Sequence, residues 1–359
     1  MANRRRRRLP KRPAALALAL MLLAAALVLL RMPADGPEQP ESAALPDNSF
    51  EIWFLDVGQA DSSLIVCGGE TMLIDGGNVD DASYVVASLE QYGVTALDYV
   101  VNTHCDEDHV GGLAGVLAKY PAAHVWSSTT EYGTKAFSNF VKYAEQQGRE
   151  IEIPSAGDTF TLGSADVTVL GPLRDYENNN ENSIVLRIDY GETSFLFTGD
   201  MGITAEDELV ESGARLDATV LKVGHHGSAG STGYVFLREV MPQYGVISVG
   251  ADNSYGHPTE AALSRLRDAD VQVFRTDLQG VVHLTSDGKT VTFDTERSAT
   301  EAQLNPTVKD AAETYVGNRN SQIFHVSTCH SRPAEKNAVY FDSVWDALDA
   351  GYRAHSCVN

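Results

Sequence analysis

Thr103-His104-Cys105-Asp106-Glu107-Asp108-His109-Val110-Gly111-Gly112 is the stretch on which the reading of this chain turns. Two imidazoles and two carboxylates, from His104, Asp106, Asp108 and His109, fall within six residues, and two glycines follow at once. No packing role needs that crowd, and like charges so close repel unless a cation neutralises them. Leu97-Asp98-Tyr99-Val100-Val101 before it has the apolar content of a buried strand. Val110 to Leu117 after it has the spacing of a helix start. The cluster therefore occupies a strand-to-helix turn, where side chains converge on one point. A solvated acidic turn that happens to contain histidines is the plain competitor, and the clustering of such groups at functional sites counts against it.

Three more strands deliver polar groups at their ends. Phe195-Leu196-Phe197-Thr198-Gly199-Asp200 runs apolar into a carboxylate placed to bridge two cations. Leu221-Lys222-Val223-Gly224-His225-His226-Gly227-Ser228 ends on paired histidines. Ile247-Ser248-Val249-Gly250 leads through Asp252, Asn253 and Tyr255 to Gly256-His257-Pro258. Apart, each has an ordinary explanation: a Gly-Asp turn, a His-Pro loop. The histidine pair is harder to dismiss, because burying two imidazoles without partners costs solvation. Together they place a site at strand ends, as layered α/β proteins do.

Outward from these motifs, strand-like and helix-like segments alternate. Phe50–Val57, Ser63–Val66, Thr71–Ile74 and Ala122–Trp126 read as strands, Ala82–Tyr92 and Lys135–Gln147 as helices. A second series of short strands and helices runs from Thr159 to Phe293. The pattern predicts an α/β protein of layered sheets covered by helices. At 359 residues, one large domain and a small one is the default.

The N-terminus differs from the rest. Arg4 to Arg8, Lys11 and Arg12 form a basic head, Ala14 to Leu30 carries no charge, and Arg31 closes the run. As a helix the run spans about 25 Å, just short of a hydrocarbon core. Residues 1–31 are expected to be a signal anchor or a signal peptide, with the head cytoplasmic and the rest of the chain outside, membrane-anchored or secreted. Residues 32–47, rich in Pro and acid, read as a linker. The first 31 residues hold eight Lys/Arg and no acid, so the remainder carries 19 basic against 49 acidic residues, a net charge of −30. Such a surface suits an extracellular domain and counts against non-specific DNA binding, though not against a phosphodiester held on metal ions. Four cysteines do not make a disulfide scaffold: Cys67 reads as core, Cys105 is a bystander in the motif, and Cys329 and Cys357 belong to the tail.

These motifs resemble the metallo-β-lactamase superfamily, and within it the ComEC-like branch. The branch's opening signature is matched by Leu55-Asp56-Val57-Gly58-Gln59-Ala60-Asp61, its next by Leu73-Ile74-Asp75-Gly76-Gly77. Asp106 stands where other members carry a second histidine. Asn178 to Ser183, Thr198-Gly199-Asp200, Leu221 to Ser228 and Tyr255 to Pro258 complete the pattern. The resemblance covers residues 49 to 295 and implies an αββα sandwich, domain 48–296, with a two-metal site at the sheet edges. His104 and Asp106 would serve one metal, Asp108 and His109 the other; Asp200 would bridge and His257 complete the second site. One of His225 and His226 would be a ligand, the other a proton donor or substrate contact. Asn182 would stand in for a third histidine, and Lys222 would stabilise developing anionic charge. Asp108 would orient the water, and an oxygen-rich first site shifts the cofactor preference from Zn²⁺ toward Mn²⁺.

Residues 297–312 are polar and aperiodic, and read as a second linker. The tail, 313–359, resembles a small module related to the metal-binding region of Ada, through Tyr315 to Asn318, Phe324-His325, Cys329, Glu335 to Asn337, Phe341, Ser343 and Ala350 to Arg353. That pattern usually ends in Pro-Cys-x-x-Cys; here Ala354-His355-Ser356-Cys357 stands instead. His325, Cys329, His355 and Cys357 suit one tetrahedral Zn²⁺. A Cys329–Cys357 disulfide is the alternative that an extracellular location permits.

The expected function is extracytoplasmic metal-dependent hydrolysis through a dinuclear metal-activated water, of a phosphodiester and in particular of nucleic acid. A hydrolase of a small ester, lactone or thioester is the second reading. An extracellular binding module with a structural metal site is the third.

Overall fold

The structure, a computed structural model, describes residues 49–306, 315–341 and 343–358. The segments 1–31 and 32–47 lie outside the described residues, as do residues 307–312 of the second linker and 313–314 of the tail. Among the described residues no helix is long and apolar enough to cross a membrane.

Fourteen strands of the main domain are numbered in chain order among the described residues: β1 Phe50–Phe54, β2 Ser63–Cys67, β3 Glu70–Ile74, β4 Leu97–Asn102, β5 Ala122–Ser127, β6 Thr159–Leu162, β7 Ala165–Gly171, β8 Val185–Tyr190, β9 Thr193–Phe197, β10 Val220–Lys222, β11 Tyr244–Ile247, β12 Gln272–Arg275, β13 Val282–Ser286 and β14 Val291–Thr295. They form two sheets, ordered β14-β13-β1-β2-β3-β4-β5 and β12-β11-β10-β9-β8-β7-β6. β3, β4 and β5 run parallel, as do β9, β10, β11 and β12. Their carboxyl ends carry every strand-end motif of the sequence.

Alternation along each strand decides the layering. Ile52, Phe54, Ile65, Met72 and Val101 point inward and meet Val167, Leu186, Phe195, Phe197 and Val246 of the other sheet. Their neighbours Trp53, Leu64, Val66, Leu73 and Val100 point outward, under helices Ala82–Gln91, Leu113–Lys119 and Lys135–Gln146. Leu196, Leu221 and Ile247 do the same on the far side, under helices Ile203–Glu211, Tyr234–Val240 and Glu260–Asp268. The result is the αββα sandwich, whose strands are apolar on both faces because both faces are covered. Each such large side chain contributes about 1.5–3 kcal/mol by burial.

Two local expectations change. Val110 to Leu117 is not one helix: Glu107–Val110 ends at Gly111-Gly112, and Leu113–Lys119 begins anew. A Cβ on Gly112 would collide with the Gly76 carbonyl oxygen, and one on Gly76 would come within 2.7 Å of the Leu113 nitrogen. The glycine pairs let the turn after β3 press against the turn after β4. In addition, residues 297–306, expected to be linker, lie on the main domain. Arg297 donates to Asp56 at 3.2 Å, Leu304 is buried, and Arg267 donates to Asn305 at 2.7 Å.

The tail adds a sheet in the order β17-β15-β16-β18, with β15 Tyr315–Asn318, β16 Ile323–Val326, β17 Ala338–Phe341 and β18 Arg353–Ala354. Tyr315, Phe324, Val344 and Ala347 form its core and pack on Tyr234 of the main domain. Tyr234 meets Trp345 edge-on at 6.0 Å, and Arg238 pairs with Asp349 at 2.9 Å.

Candidate metal centre

The turn after β4 holds the site, and the turn after β3 shapes it. Asp75 takes a left-handed backbone (φ 60°) and is fully buried. Its carboxylate accepts from the Thr103 backbone N–H at 2.8 Å, from the Thr103 hydroxyl at 2.8 Å, and from His109 Nδ1 at 2.8 Å. A carboxylate can only accept, so His109 Nδ1 carries a hydrogen, and in the neutral ring the lone pair is on Nε2. That Nε2 lies 3.3 Å from Asp200 Oδ1. Burial opposes protonation of His109, yet Asp200 and Asp75 raise its pKa well above the ordinary value.

His226 is fixed the same way. Its Nδ1 donates to the Ser248 carbonyl at 3.0 Å, and Nε2 faces Asp108 at 3.2 Å. Burial would lower its pKa, but Asp200 and Asp61 push it up to about 10. The Gly224–Gly227 turn holds His225 and His226 at φ 48° and 53°. Two successive left-handed non-glycine residues store strain, of order 1–3 kcal/mol each, which is characteristic of functional turns.

Asp200 is the hub. Burial opposes its ionisation, but His109 and His226 hold its pKa well below the carboxylate range. Its Oδ2 lies 3.9 Å from His104 Nε2, 3.5 Å from His225 Nε2 and 3.8 Å from His226 Nε2. His104 Nε2, His109 Nε2 and Asp200 Oδ1 are buried with no hydrogen-bond partner. Buried polar atoms left so are costly, and three of them converging on one space fit a cation. His104, His109 and Asp200 bring ligand atoms within 4.8 Å of one another, as do Asp108, His109 and His226. Asp108 and His109 fall in one grouping, as expected from sequence, and His109 stands in the grouping of His104 and Asp200 as well.

Asp106 lies beside His104, its Oδ2 3.6 Å from Nε2. The neighbouring His104 holds its pKa down against burial. His257 stays outside both groupings. Its ring lies 5.6 Å from His225 and 6.5 Å from His226, and burial with those two neighbours pushes its pKa down to about 4. His225 is half-buried, and burial lowers its pKa. Of the histidine pair, His226 has the ligand geometry and His225 is left for proton donation or substrate contact. A cavity of about 540 Å³ opens over Asp106, Asp108, Asp200, His225, His226 and His257.

Two expected site residues have other work. Lys222 is buried, and its Nζ donates to Asp61 Oδ2 at 2.8 Å and to the Val223 carbonyl at 3.3 Å. It faces the protein, not the cavity, and so cannot meet developing charge on a substrate. Asp61 in turn lies 3.6 Å from His226 Nδ1. Asn182 spends its amide on the Tyr176 backbone, accepting at 2.8 Å and donating at 2.8 Å, and on the Asn178 carbonyl. It ties the loop and is no ligand. Its neighbours reach the site instead: Asn179 donates to Asp106 at 2.8 Å, and Asn180 lies 3.5 Å from His225 Nδ1.

The tail brings His325, Cys329, His355 and Cys357 together, with all four ligand atoms within 4.8 Å. Both cysteines are unbonded in the structure. Two imidazoles and two thiols at that separation fit Zn²⁺.

Comparison with known proteins gives the family. Residues 55–251 match the family model of the metallo-beta-lactamase superfamily, and residues 297–358 that of the metal binding domain of Ada. ComE operon protein 3 of Bacillus subtilis is 28% identical over 262 residues, covering 68% of this chain and 34% of that protein. Competence protein ComA of Neisseria gonorrhoeae is 35% identical over 242 residues, covering 67% of this chain and 33% of that protein. The crystal structure of the metallo-beta-lactamase fold protein YhfI from Bacillus subtilis covers 67% of this chain and 100% of that one at 12% identity, with a TM-score of 0.45. The chain spans about a third of the length of the two named curated relatives. It belongs to the metallo-β-lactamase superfamily, on the ComEC-like branch, and carries an Ada-like metal-binding domain. The fold binds divalent metals and the Ada-like domain binds zinc.

Proposed function

From its place in the metallo-β-lactamase superfamily, we propose that this chain is an extracytoplasmic phosphodiesterase using two divalent ions, Zn²⁺ or Mn²⁺. The single observation that carries the reading is the cradle of His104, His109 and Asp200, whose unpartnered acceptor atoms open beneath a cavity. His104, Asp106, Asp108, His109, Asp200 and His226 would hold the ions. Bound there, they supply Lewis acidity and an acidified water.

The chain's own residues do the rest. Asp75 and the Ser248 carbonyl each hold a hydrogen on Nδ1 of His109 and His226, which fixes both rings with Nε2 toward the cradle. Asp108, hydrogen-bonded to His226, orients the attacking water. His225, partly exposed at the cavity edge, is positioned to hold a proton for the leaving oxygen. The basic head and the uncharged run Ala14 to Leu30 support attachment to the membrane or export. The acidic cavity edge, with Glu107 beside Asp106 and Asp108, favours a small neutral ester as the competing substrate.

The test uses the full chain with bis-p-nitrophenyl phosphate and single-stranded DNA, with added Mn²⁺ or Zn²⁺. An Asp108→Ala, His109→Ala variant serves as control. Metal-dependent cleavage absent from the control supports the reading. Failure to cleave either substrate with metal bound discards it in favour of the small ester.

A further inference from the structure

The loop that follows β11 presents one aromatic ring to the cavity. Asn253 organises it: its amide donates to the carbonyls of Gly250 at 2.9 Å and His257 at 2.6 Å. Its Oδ1 accepts from the backbone N–H groups of Tyr255 at 3.1 Å and His257 at 3.0 Å. One side chain thus fixes both flanks of a turn whose outermost residue is Tyr255. The Tyr255 ring is 71% exposed, borders the cavity, and stacks on His257 at 5.7 Å and 23°. A large ring held out in water at a cavity edge is a surface awaiting a flat partner.

The charges nearby say how a substrate is gripped. A second cavity of about 520 Å³ adjoins the first, sharing Asn78 and Glu107 with it. Among the described residues lining the two, Lys135 is the one lysine or arginine, against Asp80, Asp81 and Glu107. Apart from the metal cradle, such a cleft gains little from phosphates flanking the reacting one. Binding must come from elsewhere, and stacking is indifferent to the acidic edge.

Resting on the phosphodiesterase reading, we propose that Tyr255 is the stacking platform for the nucleobase beside the scissile phosphate. The preferred substrate is then an unpaired nucleotide segment, gripped by its base and not by its backbone. A paired base keeps its faces in the duplex and cannot reach the ring.

The full chain is tested on a short thymidine oligonucleotide and on the same backbone with abasic spacers. Base–aromatic stacking predicts that the wild type prefers the base-bearing strand by about 5- to 150-fold in kcat/KM. Tyr255→Ala brings the preference close to unity, and Tyr255→Phe, which keeps the ring, retains it. The salt dependence of KM is shallow: log KM rises with log salt by about 0.7 per phosphate contact, and by a single contact's worth in all. A preference that survives Tyr255→Ala, a wild type with no preference, or a slope several times steeper overturns the proposal while leaving the phosphodiesterase standing. Cleavage of neither strand, nor of bis-p-nitrophenyl phosphate, overturns the reading beneath it.

Discussion

Asp75 touches no substrate, yet the site depends on it, and Asp75→Asn isolates why. The carboxylate accepts three hydrogen bonds, from the Thr103 N–H, the Thr103 hydroxyl and His109 Nδ1, each at 2.8 Å. An asparagine of the same shape can still accept from the Thr103 N–H. Its NH₂ group then faces His109 Nδ1 and needs an acceptor there. The imidazole must move its hydrogen to Nε2, the atom 3.3 Å from Asp200 Oδ1. A cation approaching the cradle then meets N–H instead of a lone pair. Partners that orient a metal-binding histidine are worth about 10- to 100-fold in affinity, or about 1.4–2.7 kcal/mol. The assay is calorimetric titration of Mn²⁺ into chelator-stripped full chain, because Mn²⁺ avoids the thiol-rich tail. Urea denaturation of the same samples checks the fold. Mn²⁺ binding by Asp75→Asn equal to that of the wild type refutes the reasoning. So does a loss of binding that merely follows a loss of folded protein.

Three further outcomes are expected. Lys222→Met strands the buried Asp61 carboxylate and costs about 3–5 kcal/mol in urea denaturation; Asp61→Asn in the same chain recovers part of it, and a stable Lys222→Met protein that loses activity alone would return the lysine to the substrate. Burial raises Glu206 to about 8, although the Thr232 and Gly233 N–H groups donate to it. A raised folded pKa contributes stability that is complete below the unfolded value near 4.5 and fades as pH climbs to about 8, by roughly 4–5 kcal/mol at most. Glu206→Gln therefore gains on the wild type across that window, and parallel pH profiles for the two proteins contradict this. Cys329→Ser with Cys357→Ser removes one zinc per chain by metal analysis and leaves Mn²⁺ titration of the main cradle unchanged.

The positions of the residues that converge on the cradle were legible because each lies at the end of an apolar strand. His104, His109, Asp200 and His226 needed no knowledge of side-chain direction, since the carboxyl edge of a parallel sheet gathers them anyway. Lys222 and Asn182 were misassigned because direction was all that mattered. Lys222 lies in the same strand-end motif as His226 but turns inward to Asp61, and Asn182 lies two residues from Asn180 but closes its own loop. Asp75 escaped notice as a role-bearing residue because it lies 34 positions from His109, in a turn of ordinary composition. The Gly76-Gly77 and Gly111-Gly112 pairs were the available signal: two glycine turns, each following a strand, suit two backbones in contact. The layered fold followed from the alternation of strand and helix, whereas the break at Gly111-Gly112 is a tertiary contact that helical spacing does not register.

β1 is paired with β2 on one side and β13 on the other, and His283 on β13 reaches Glu51 across 232 positions at 2.8 Å. A ribosome adding about 5–20 residues per second needs roughly 10–50 s to cover that distance. Throughout that time the outer edge of β1 is an open row of backbone donors and acceptors, ready to pair with a neighbouring chain. The first strand made therefore waits for the last hairpin of its own domain. A nascent chain needs a temporary cover for Phe50–Phe54 that the finished fold does not.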